Sequence, residues 1–154
     1  MRVRCITDIS TYPWLFLPLE EDGSMDFLYD VYASPRGMYT IFQELEGFNV
    51  TTGKEYTVYG ILEHDNQLRY LIQDDREEVH FLPYVLFEIT DMSIPFDWKV
   101  NTYTVENGLV LVIGYDDLAS TYKGLIDMIR SDMTAIRKFL DYKAYMLEWM
   151  QYIK

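Results

Sequence analysis

The sequence predicts a single α+β domain: a small, strongly bent antiparallel β-barrel with an insertion after the first strand and a C-terminal helical pair. Three observations carry that reading. From Gly53 to Asp91, short aromatic-rich strands alternate with charged turns and pass through Phe81-Leu82-Pro83-Tyr84 into one more strand. Asn107-Gly108 separates two extended runs and is the strongest hairpin signal in the chain. From Asp116 onward, apolar residues recur at helical spacing. A chain of 154 residues fits one domain. At that size folding buries about 70% of the surface an unfolded chain exposes. The expected parts are a barrel core at 1–9 and 48–114, an insertion at 10–47 and helices at 115–153.

Taken in order, Val3-Arg4-Cys5-Ile6-Thr7 alternates apolar and polar residues and reads as the first strand. Pro13 and Pro18 bracket Trp14-Leu15-Phe16-Leu17, which argues against a regular central strand or helix there. Met25, Phe27, Tyr29 and Val31 alternate with acids as a strand would. Ser34-Pro35 and Gly47 then bracket Met38, Ile41, Phe42 and Leu45 at helical spacing, although Tyr39-Thr40-Ile41-Phe42 also suits a strand. Tyr56-Thr57-Val58-Tyr59 leads through the turn His64-Asp65-Asn66-Gln67 into Leu68–Ile72. Asp74-Asp75-Arg76-Glu77-Glu78 turns the chain into Val79-His80-Phe81, and Leu86–Thr90 follows. Trp98–Val105 and Leu109–Ile113 are the hairpin arms, the second apolar on both faces and expected to be covered on both. Leu118, Tyr122, Leu125, Ile126 and Ile129, then Met133, Ile136, Leu140, Leu147 and Met150, form the helical face. Ser131-Asp132 offers a second N-cap, which places a break near 130–132.

Composition bounds the partners. Twenty-five acids against 13 bases give a net charge of −12. Residues 1–100 hold 18 acids and 7 bases, whereas 101–154 hold 7 acids and 6 bases. Such a surface repels phosphate backbones and anionic lipid, so neither nucleic acid nor membrane is expected as a partner. A basic protein is attracted and steered. No apolar run has the length of a membrane span, no signal peptide is read at the start, and the lone Cys5 can form no intrachain disulfide. A buried Cys5 thiol and a reducing, cytoplasmic location are the expectation. Oligomeric state is not readable.

The segments Gly53-Lys54-Glu55-Tyr56-Thr57-Val58, His80-Phe81-Leu82-Pro83 and Leu86-Phe87-Glu88-Ile89, together with Arg2-Val3-Arg4-Cys5-Ile6, resemble small bacterial proteins built on a Src homology 3-like barrel. The resemblance covers 1–7 and 50–91. The tail around Gly114-Tyr115-Asp116-Asp117-Leu118 looks like longer relatives of that group, and 10–48 departs from it. It implies a scaffold and brings no catalytic residue.

No phosphate-binding loop, dinucleotide fingerprint or nucleophile elbow is present. His64 reads as a solvated turn residue and His80 as a structural strand residue, so neither a metal site nor a cofactor is expected. The acidic run 74–78 lacks the Asp/Asn and Gly spacing of a calcium loop and reads as a projecting, solvated turn. The expectation is a non-enzymatic protein-binding module, concretely a bacterial or phage-borne inhibitor such as a toxin-immunity protein. A structural or adaptor domain, and third an enzyme without a recognisable motif, are the alternatives. The expected contact residues are Trp14 and Phe16 as aromatic anchors and Asp74, Asp75, Glu77 and Glu78 as a charged rim. The competing reading, slightly the stronger, is that Trp14 and Phe16 cap an open end of the barrel core.

Overall fold

Short alternating stretches become strands wherever one face can be buried. Arg2–Cys5 (β1) exposes Arg2 and Arg4 and buries Val3 and Cys5. The computed structural model describes residues 1–6, 49–64, 66–105 and 108–152; the expected insertion, with Trp14 and Phe16, lies outside the described residues. β1 is the middle strand of a three-stranded antiparallel sheet, between Glu55–Thr57 (β2) and Phe87–Asp91 (β6). Arg4 lies on the outer face of this sheet between Glu55 and Glu88, 3.5 and 3.1 Å from their carboxylates.

The second sheet has five antiparallel strands. Its order is Val79–Pro83 (β5), Gln67–Gln73 (β4), Gly60–His64 (β3), Gly108–Gly114 (β8) and Lys99–Val105 (β7). β2 and β3 belong to one extended stretch that leaves the first sheet at Val58-Tyr59 and enters the second at Gly60. A 3-10 turn at Tyr84–Leu86 makes the reverse transfer from β5 to β6.

Each face of the larger sheet covers a separate core, because successive side chains of a strand point to opposite sides. Tyr70, Ile72 and Leu82 meet Val3, Cys5, Tyr56, Leu86 and Phe87 of the smaller sheet. Leu62, Leu71, Phe81, Val110 and Val112 face the other way, against the C-terminal helices. Burying one such aliphatic or aromatic side chain is worth about 1.5–3 kcal/mol.

Three helices follow, not two: Asp116–Ala119 (α1), Tyr122–Ile129 (α2) and Met133–Tyr152 (α3). Thr121 caps α2 by accepting from the Gly124 N–H. The break falls at Arg130–Asp132. Ser131 takes φ +56° there, and the Asp132 carboxylate accepts from the Thr134 and Ala135 N–H groups to start α3. Tyr59, Tyr115 and Phe139 join helices to sheet, with the Phe139 ring edge-on to Tyr59 at 4.8 Å.

Three expectations are corrected. The sheets are not closed into a barrel; β8 occupies the edge of β3, so the hairpin extends the larger sheet sideways, with β5 and β7 outermost among the described strands. Leu109–Ile113 is not covered on both faces. Val110 and Val112 are buried, whereas Leu111 and Ile113 are half-buried and Leu109 is exposed. His64 is no turn residue: β3 runs through it, its ring is buried and its Nδ1 lies 3.2 Å from the Leu109 carbonyl.

Candidate binding surface

The acidic turn between β4 and β5 is built from the inside. Asp74 is buried, with its side chain wholly covered. Its Oδ1 accepts from the N–H groups of Arg76 and Glu78 at 2.9 and 3.0 Å, and Oδ2 lies 3.0 Å from His80 Nε2. A short carboxylate closing on backbone donors two and four residues ahead fixes a tight turn, and Glu77 accordingly takes φ +65°. The expectation that the entire run projects is therefore corrected: Asp74 is the turn's internal anchor, not part of its outer rim.

Asp75 is the outer anchor. Its carboxylate accepts from Thr51 Oγ1 at 2.7 Å, Lys54 Nζ at 2.5 Å and Tyr56 OH at 2.9 Å. Its backbone N–H donates to the Asn49 carbonyl. Partial burial pushes the Asp75 carboxyl up, but the hydrogen bonds from Lys54, Thr51 and Tyr56 outweigh it and hold the pKa below the ordinary value of 3.8. Lys54 also lies 5.3 Å from the Tyr56 ring centre.

What remains free is a pair. Glu77 and Glu78 are exposed and have no ion-pair partner among the described residues. They stand at the mouth of an open cavity of ≈ 420 Å³ lined also by Val79, His80, Ser131 and Ile136. The walls thus come from the rigid turn on one side and from the α2–α3 junction on the other. An aliphatic stem resting on Val79 and Ile136 would bring a terminal cation to the two carboxylates.

A second surface escaped the sequence reading. Met92, Ile94 and Phe96, between β6 and β7, are 74%, 54% and 73% exposed. Phe96 packs on Trp149 of α3, ring centres 5.4 Å apart. The loop is held from beneath: Trp98 Nε1 donates to Tyr142 OH at 2.9 Å, and Tyr142 stacks on Tyr115 at 4.5 Å. Burial pushes the phenols of Tyr115 and Tyr142 up, so both stay protonated. The available signal was Pro95, flanked by apolar residues in a connection too irregular to be a strand.

Among the described residues, no group of three or more His, Cys, Asp or Glu side chains could hold a metal ion, and no helix is long and apolar enough to cross a membrane. Cys5 is buried. Of the six expected contact residues, Asp75, Glu77 and Glu78 share one exposed turn, Asp74 lies beneath it, and Trp14 and Phe16 fall outside the described residues. Comparison with protein-family models, with curated proteins and with solved structures finds no match.

Proposed function

We propose that this chain is a non-enzymatic protein-binding module on a Src homology 3-like scaffold that engages a basic protein partner. Its concrete form is a bacterial or phage-borne inhibitor such as a toxin-immunity protein. The scaffold reading is supported by strand order: β1 sits between β2 and β6, one stretch bends between the two sheets, and a 3-10 turn precedes the last strand of the smaller sheet. The carrying observation is the division of labour in the acidic turn. Asp74 and Asp75 are consumed in holding it, and Glu77 and Glu78 are presented beside a cavity with an apolar wall. A site organised before binding loses little freedom on contact, so its charges act mainly on encounter rate and orientation.

The test is capture by the immobilised full chain from lysate of its host, followed by association kinetics with the purified partner. A basic protein whose association slows with rising salt, and slows again in Glu77→Gln/Glu78→Gln, supports the reading. Retention of another copy of the chain with no basic protein would support the adaptor alternative.

A further inference from the structure

Helix α3 carries two apolar stripes, and among the described residues the core uses one. Ala135, Ile136, Phe139 and Tyr142 face the core, with Phe139 fully buried. The second stripe is Met133, Leu140, Ala144 and Leu147. All four are exposed, the three large side chains at 80%, 47% and 51%. With Arg137 and Gln151, also exposed, the stripe runs at alternating steps of four and three residues. That spacing gives two helices a continuous seam. A helix of this length is about 30 Å long, so the stripe spans several layers of contact.

The geometry points to a second copy of this chain as the occupant, docked antiparallel across a two-fold axis near the middle of α3. Two properties of the helix select that occupant. The first is charge. The chain as a whole is strongly acidic, but α3 contains three bases, Arg137, Lys138 and Lys143, and two acids, Asp141 and Glu148. It is a surface on which two such acidic chains can approach without strong repulsion. The second is self-complementarity. In the antiparallel arrangement Leu140 of one copy meets Ala144 of the other, large against small, and the contact repeats by symmetry. Arg137 of one copy then stands beside Glu148 of the other, again twice. Neither residue has an ion-pair partner among the described residues. A parallel pairing would instead set Arg137 against Arg137, where like charges repel. The dimer is weak, since its seam is a single helix pair.

Sedimentation equilibrium of the full chain, at concentrations from about 1 to about 500 μM, reads the association over the range a weak interface occupies. The average mass is expected to rise from that of one 18.3 kDa chain toward twice that value. Leu140→Glu is expected to hold it at the monomer value, with helix content unchanged by circular dichroism. Arg137→Glu alone, and Glu148→Arg alone, each weaken association at least tenfold, and the double exchange Arg137→Glu/Glu148→Arg restores it. The double exchange keeps the test sharp should Leu140→Glu perturb folding, because both charges are exposed. A chain that stays monomeric throughout overturns the proposal. So does a dimer indifferent to all four variants, which would place the contact elsewhere, or a double exchange no better than the single ones, which would break the antiparallel register.

Discussion

Gly60 and Gly114 face each other across the β3–β8 ladder, and the side chain of Leu118 fills the space above both. A Cβ on Gly60 would stand 2.5 Å from Leu118 Cδ2, and one on Gly114 2.6 Å from the same atom. The glycines are needed here for room, not for an unusual backbone angle. They let α1 lie directly on the sheet at the point where the hairpin joins β3. Leu118 is buried, so it can yield only by disturbing the core around it, and Gly114→Ala should cost about 1–3 kcal/mol, the usual penalty for overpacking. Urea titration measures it. In a double-mutant cycle with Leu118→Ala the alanine at 114 should become nearly neutral, and full additivity would sink the account.

Much of the architecture was legible because strands advertise themselves by alternation and turns by composition. The extended runs around Leu68–Ile72 and Leu86–Thr90 and the Asn107-Gly108 hairpin arms fall within a residue or two of β4, β6, β7 and β8. The break before α3 sits at the Ser131-Asp132 pair that marked it. His64 was misread because the residues after it in sequence, Asp65 and Asn66, carry turn chemistry, whereas β3 continues through His64, which pairs with Gln67. Barrel closure was not legible, since strand partners depend on which edge the later hairpin occupies. In the acidic run, composition counted five charged residues alike. Only the fold shows that Asp74 turns inward to bond Arg76 and Glu78 while Glu77 and Glu78 face out.

That difference within one turn is measurable. Asp74→Ala removes a covered carboxylate that holds two backbone N–H groups and contacts His80, and hydrogen bonds to a charged group are worth about 1.5–3 kcal/mol each. A loss of that order is expected in denaturant unfolding. Glu77→Gln/Glu78→Gln alters exposed side chains and should stay within about 0.5 kcal/mol. Equal stability of the two variants would show that Asp74 does not anchor the turn.

Asp75 gives the acid limb of stability a specific contributor. Its folded pKa is lowered, so its contribution is complete above the ordinary 3.8 and is lost as pH falls through the lower folded value. Asp75→Asn keeps a similar shape but loses the charge that meets Lys54. The wild type should melt higher than this variant by a constant margin from about pH 7 to about pH 5, and the margin should shrink as pH falls toward about 2. A margin that persists undiminished to the lowest pH would mean that the carboxylate's ionisation does not stabilise the turn.

The two stripes of α3 explain why the helical tail was only partly read. Ile129, Ile136 and Leu140 share one helical face by spacing, yet Ile129 is buried, Ile136 half-buried and Leu140 half-exposed. Phe139, one position before Leu140, is the residue that enters the core between Tyr59 and Tyr115. With apolar residues at both 139 and 140, periodicity cannot choose between faces rotated by one residue, about a hundred degrees. The sheet chooses, because the ring at 139 fills the space beside Tyr59. Truncation separates the faces. Phe139→Ala should cost about 3–5 kcal/mol and Ile129→Ala about 2–5 kcal/mol, both measured on dilute chain so that association does not contribute. Leu140→Ala, whose side chain meets solvent, should stay near 0.5 kcal/mol or below under the same conditions. If Leu140→Ala proves as costly as Phe139→Ala at high dilution, the outward stripe is packed within the single chain, and a second copy has no face there to cover.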